Sequence, residues 1–269
     1  MSLYIYQHLG LGDMIANNAL VRYLIKLNKK KKFFYIFCKQ MHLNNVRFMY
    51  RDLRRINLIS VPNDPLKEKK FFSKYLENIR ENYEIIKIGH EFYDKTAKLN
   101  QYFDKHPWHC TVTFYKQFGL PDDFRFKNTY WKRDFHREKK LMKKLNIQNK
   151  KFIFIHDDPS RNLIINPKIS SQTIAIKNDP KNLIFDYGLL LERAEEIHII
   201  ESSFRQMIET LNIKTKKIYL YKDTRIDYRM SLFNKKLNRM VGTKKKWNEI
   251  KMNFTIKKKL NFFNHLFKS

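Results

Sequence analysis

Apolar positions along the chain switch repeatedly between two periods. Leu3 to His8 is a short run rich in aromatic and β-branched residues, which reads as a buried strand. Beyond it Ala16, Leu20, Tyr23, Leu24 and Leu27 recur at helical spacing and offer one apolar face to a sheet. Phe33 to Cys38 then reads as a strand, Met41 to Leu53 as a helix and Ile56 to Val61 as a third strand, followed by Pro62 and Pro65. Residues 66–81 read as a helix, and Glu84 to Ile88 as a fourth strand ended by Gly89 and His90. Between 91 and 133 lie Pro107, Trp108, a helix ending at Gly119 and the turn Leu120-Pro121-Asp122-Asp123, so irregular structure with one helix is expected.

A charged helix from Asp134 to Leu145 leads into the polar segment Asn146 to Lys150, and a second series begins. Lys151 to His156 reads as a strand, Leu183 to Phe185 as a shorter one and Tyr187 to Ala194 as a helix. Ile197 to Ile200 follows as a strand, Ser203 to Leu211 as a helix and Lys217 to Tyr221 as a last strand. Two βα series in tandem predict an α/β protein with two Rossmann-like domains, 1–148 and 149–243, facing a central cleft. Residues 244–269 are expected to form a basic helical tail.

Composition supports a folded chain. Apolar residues make up 43% and aromatics 15%, which excludes disorder as the main state. The formal charge of +29 points towards a polyanion. Its distribution argues otherwise, because lysines outnumber arginines 40 to 15, as an A/T-rich coding sequence produces without selection for binding. Residues 214–269 alone carry 17 basic and 3 acidic residues, and a nucleic-acid partner is disfavoured. In the tail Ile256, Leu260, Phe263 and Phe267 share one helical face. Such a stripe more often packs on its own protein than rests on an anionic membrane surface, and peripheral membrane contact is the lesser expectation. Cys38 and Cys110 belong to no CxxC pair. Met1 to Tyr4 lacks the features of a signal peptide and no 18 apolar residues run together, so a cytoplasmic location is expected.

Three turns could carry chemistry. Gly10-Leu11-Gly12-Asp13 follows the first strand, where open α/β sheets bind ligands. Position 15 is Ile, so the third glycine of a dinucleotide fingerprint is missing, and no GKS or GKT follows. An acidic residue opening the helix suits a general base better than a phosphate cradle, although Asp13 can also serve merely as a cap. His156-Asp157-Asp158-Pro159-Ser160-Arg161 stands at the matching place in the second series, with Arg161 able to pair with a phosphate. Glu201-Ser202-Ser203-Phe204 opens a helix and aims backbone amides at the cleft, while Ser203 and Gln206 also have the spacing of a capping box. His106-Pro107-Trp108-His109-Cys110 is a poor metal motif, and no metal is expected.

These strings, together with Phe114-Tyr115-Lys116-Gln117-Phe118-Gly119-Leu120-Pro121, resemble a group of GT-B-type glycosyltransferase-like proteins of bacteria and large viruses. The turn His8 to Asp13 also resembles the N-terminal turn of lipopolysaccharide heptosyltransferases, whose aspartate is regarded as the catalytic base. The later Asp-Thr-Gly-Pro-Met-His type of run in those enzymes is replaced here by Glu201-Ser202-Ser203-Phe204-Arg205-Gln206. The resemblance implies a GT-B fold and a nucleotide-sugar donor, without a cofactor. The acceptor is expected to be a glycan or lipid-linked hydroxyl. It implies Asp13 as base with His8 assisting at the glycine turn of Gly10 and Gly12. It also implies donor binding by His156, Asp158, Ser160, Arg161, Glu201, Ser202, Ser203 and Phe204.

Overall fold

The computed structural model describes residues 2–80, 82–89, 110–121, 123–161, 163–222, 233–234, 239–240 and 242–252. Its first sheet contains β1 (Ser2–Tyr6), β2 (Phe34–Lys39), β3 (Ile56–Val61) and β4 (Tyr83–Lys87), all parallel, in the order β3-β2-β1-β4. Every residue of β1 is buried, as a central strand covered on both faces requires. The chain steps outward from β1 to β3 and then returns to place β4 on the other flank of β1. This reversal opens a crevice at the carboxyl end of β1.

Side-chain alternation gives the sheet two different faces. Leu3 and Ile5 join the main core with Leu20 and Leu24, whereas Tyr4 and Tyr6 face an aromatic layer with Phe37, Phe72 and Tyr75. The helices of this half are α1 (Leu11–Ala16), α2 (Asn18–Leu27), α3 (Leu43–Tyr50) and α4 (Pro65–Glu77). The expected continuous helix through Leu27 is interrupted at Asn17. There the buried Tyr115 hydroxyl donates to the Ala16 carbonyl at 2.6 Å and satisfies the end of α1. Tyr115 comes from α5 (Cys110–Lys116), and a second helix, α6 (Phe124–Asn128), follows where only one was expected.

The second sheet contains β5 (Phe152–His156), β6 (Ile174–Lys177), β7 (Glu196–Ile200) and β8 (Ile218–Lys222). After a two-residue antiparallel pair, β9 (Phe233–Asn234) and β10 (Arg239–Met240), the chain adds β11 (Asn248–Lys251). The sheet order is β11-β8-β7-β5-β6, all parallel, so its reversal falls between β5 and β7. Its helices are α7 (Phe135–Lys144), α8 (Gly188–Arg193) and α9 (Ser203–Ile208).

Two expectations are corrected here. Leu183 to Phe185 is no strand, because Ile184–Tyr187 forms a 3-10 turn whose Asp186 carboxylate accepts from the Leu183 amide and from Arg137; the strand is β6. Residues 244–252 are not tail, because β11 is an edge strand and Trp247 is buried against the core. The stripe from Ile256 to Phe267 and most of the His106 to Cys110 cluster lie outside the described residues.

One hydrophobic cluster runs through both halves. Phe48 of α3 stacks on Phe185 at 5.3 Å, and Ile184 donates its amide to the Asn45 side chain at 2.9 Å. Helix α7 precedes the expected boundary at 148 yet packs on the second half, with buried Glu138 accepting from the Leu189 amide at 2.6 Å. Among the described residues no helix is long and apolar enough to cross a membrane.

Candidate active site

The carboxyl ends of β1, β5 and β7 converge on a cleft of about 1200 Å³. Gly10, Gly12 and Asp13 line it from the first sheet. His156, Asp158 and Ser160 line it after β5, and Glu201, Ser202 and Ser203 after β7. Both topological reversals therefore open into one space, each at the place its own strand order sets.

Asp13 is the third residue of α1, whose N-cap is Gly10, and no side chain caps this helix. The carboxylate occupies the space that a side chain at position 10 would claim: a Cβ there would lie 3.2 Å from Asp13 Oδ2. The Asp13 side chain is 34% exposed, and His8 Nδ1 stands 3.9 Å from Oδ2. Burial, and then the negative charge of Glu201, push the Asp13 carboxyl up to about 6, against the opposing pull of Arg205.

His8 does not line the cleft; it backs Asp13. Its ring meets Phe114 edge-on at 5.0 Å. Gly89, at φ +79, presses on both, since a Cβ there would come 2.5 Å from Phe114 Cε1 and 3.0 Å from His8 Nε2. The glycine after β4 is thus required by close approach as well as by its backbone angle.

After β5 the chain makes a closed loop. Asp158 pairs its backbone with Leu163 at 2.8 and 2.9 Å, and the Ser160 hydroxyl donates to the Asp158 carboxylate. Arg161 ends the short turn Pro159–Arg161 of this loop. Buried Asp157 accepts from Lys177 Nζ at 2.7 Å and from the Ile165 amide at 3.3 Å. His156 Nδ1 pairs with Asn178 Oδ1 at 2.7 Å, and its ring rests on Phe204 at 4.6 Å. Phe204 itself is buried among Phe154, Tyr187 and His156, so it supports a cleft residue and does not face a ligand.

After β7, Glu201 Oε1 accepts from Arg205 Nε at 2.7 Å. Its second oxygen, Oε2, and the Ser202 hydroxyl are buried without a hydrogen-bond partner among the described residues. Burial pushes the Glu201 carboxyl up, while Arg205 pulls it down. The capping box of Ser203 and Gln206 does not form. Ser202 is the N-cap, without a side-chain bond, and Gln206 Oε1 instead accepts from Arg125 Nη2 at 2.6 Å.

Sequence reasoning missed several residues of the cleft. Lys39, Met41 and His42 enter from the end of β2, and Lys177 and Asn178 from the end of β6. Lys39 is paired with Glu68 at 3.4 Å, while Lys177 is paired with Asp157. Their signal was positional, since each lysine closes a parallel strand. Among the described residues no group of three His, Cys, Asp or Glu side chains is placed to hold a metal.

No protein-family model matches the chain, and no curated protein sequence does. Its fold is that of a known transferase structure. The chain is similar to the crystal structure of a glycosyl transferase family 9 protein from Veillonella parvula DSM 2008, with a TM-score of 0.51 over 99% of this chain and 91% of that one. Identity is 8%, so the likeness is one of fold. A second structure, E. coli ADP-heptose LPS heptosyltransferase II, aligns over 99% of this chain and 98% of its own at 9% identity and a TM-score of 0.45.

Proposed function

We propose that the chain is a glycosyltransferase that moves a sugar from a nucleotide-diphosphate donor to an acceptor hydroxyl of a glycan or lipid-linked substrate, with inversion. The observation that carries this reading is Asp13, a carboxylate one-third exposed at a topological reversal, facing across one cleft the two turns of the other sheet. In this scheme Asp13 takes the proton of the acceptor hydroxyl. The acceptor oxygen bonds to the anomeric carbon as the bond from that carbon to the diphosphate breaks, and the electron pair leaves with the diphosphate.

The second sheet supplies groups to meet that departing charge. Ser202 and Ser203, where α9 begins, line the cleft and favour negative charge there, with Lys177 beside them although paired with Asp157. His156 and Asn178, already paired, offer a polar wall for the rest of the donor. His8 steadies Asp13 from behind the turn.

Asp13→Asn tests the scheme. The variant should retain the thermal upshift produced by a nucleotide-diphosphate sugar, because donor binding lies elsewhere. Transfer should fall by about 10²-fold or more, the usual contribution of a general base. An Asn variant that transfers sugar at the parental rate would reject Asp13 as base. Absence of any thermal shift across a panel of nucleotide sugars would reject the transferase reading itself.

A further inference from the structure

The junction beneath the cleft gathers carboxylates from both halves of the chain. Helix α1 packs on α9, and a Cβ on Gly12 would lie 3.5 Å from the Ser203 backbone. Around that contact stand Asp13 from α1, Glu201 after β7 and Glu209 just beyond α9. The guanidiniums beside them are Arg205, fully buried, and Arg125, 2% exposed. Arg205 serves two of the acids, Glu201 at 2.7 Å and Glu209 at 3.8 Å. Glu209 is further saturated by the Trp247 indole at 2.8 Å, the Lys244 amide at 2.7 Å, the Lys245 amide at 3.2 Å and the Thr243 hydroxyl. Among the described residues the cations beside these acids are Arg205, Arg125 and, near Glu209, the Lys245 ammonium, itself bonded to the Leu211 carbonyl.

Glu201 is the acid whose position bears on Asp13. One of its oxygens is held by Arg205, and the other is buried, unpartnered among the described residues and part of a residue that lines the same cleft as Asp13. Other charges facing the cleft are engaged elsewhere: Lys177 with Asp157, Lys39 with Glu68 and Asp158 with the Ser160 hydroxyl. His8, outside the cleft lining, stands 3.9 Å from Asp13, His156 is paired with Asn178, and His42 stands beside Lys39 with its imidazole pushed down by burial.

We propose that Glu201 is a positioning residue for the base, its carboxylate fixed by the Arg205–Glu209 bridge so that its charge sets how tightly Asp13 holds a proton. This inference rests on the reading of Asp13 as the proton acceptor, and it assigns Glu201 a role that precedes donor binding. Anchoring extends to Trp247 and the 243–245 backbone, so the segment leading into β11 takes part in holding a group of the cleft.

Carboxyl-carbon NMR of the full chain reads the coupling without turnover, with the Asp13 signal identified by its loss in Asp13→Asn. The Asp13 midpoint should stand at about 6 in the parent. In Glu201→Gln, which removes the charge and keeps the shape, it should fall by roughly one pH unit, about tenfold in proton affinity. Glu201→Asp, which keeps the charge, should fall less. The acid limb of kcat/KM should move with the midpoint, which a purely structural role for Glu201 would not produce. An unmoved Asp13 midpoint in folded Glu201→Gln overturns the proposal. Should that variant fail to fold, the parent still decides: coupled acids show an inflection in each other's titration, and independent curves overturn the proposal. Coupled curves in a chain that moves no sugar would keep the pair and reject the transferase reading.

Discussion

A carboxylate can accept a proton only while ionised, and Asp13 loses that state unusually early as pH falls. Its carboxyl is pushed up to about 6, so kcat/KM should drop about tenfold for each unit below that value. The same shift has a stability consequence of the opposite sense. A carboxyl that binds its proton more tightly folded than unfolded costs nothing below its ordinary value of 3.8, and its cost grows as pH rises through about 6. Asp13→Asn should therefore melt higher than the parent at about pH 7.5, and the gain should fade at about pH 4. An equal gain at both pH values would show that ionisation of Asp13 is not its cause. Asp13, His156 and Glu201 were legible in the sequence because each ends or closely follows a strand and belongs to a turn with other polar residues. Lys39 and Lys177 also end strands, but two cleft-lining lysines look like any of the 40 in this chain. Glu201, Arg205 and Glu209 stand four residues apart, a spacing that by itself does not tell a buried ladder from a solvated one; Arg205 and Glu209 are buried by tertiary packing, Glu209 against Trp247 and the 243–245 backbone.

Element boundaries followed apolar period well where a strand is central and poorly at the margins. β1 and β7 are buried along nearly their whole length because sheet and helices cover both faces. β6 and β11 are four-residue edge strands, half exposed, so their pattern carries little signal. The interruption at Asn17 depends on Tyr115, 99 residues away from Ala16, and no local rule could supply it. Two left-handed glycines make a useful contrast. Gly89→Ala should destabilise by about 3 kcal/mol, from strain plus collision with Phe114, and should displace His8. Gly119→Ala, with nothing within 4 Å of the new methyl, should cost about 1 kcal/mol from strain alone. Equal costs in denaturant melts would remove the collision from the explanation.

At the scale of the whole molecule, the alternation of strands and helices made two sheets legible, and the glycine turn marked where one of them opens. What it could not reveal is how the sheets meet. Sequence placed a boundary in the polar segment Asn146 to Lys150, yet α7 on its near side packs on the far half, and one core passes beneath both. Contacts such as Phe48 on Phe185 pair residues far apart in sequence and leave no periodic trace.

The seat of Gly12 on the Ser203 backbone bears on how a substrate gets in. Two bodies joined by a wide hinge could swing apart to admit a bulky donor and clamp down afterwards. Here the floor of the cleft is a helix-to-helix contact so close that a Cβ on Gly12 would lie 3.5 Å from the Ser203 backbone, and it is continuous with the shared core, so swinging would have to tear that floor open. Substrates must then pass through the mouth, with adjustment confined to the loops around it. Small-angle scattering should give the same radius of gyration with and without a saturating nucleotide sugar, and a contraction on binding would show that the floor behaves as a hinge.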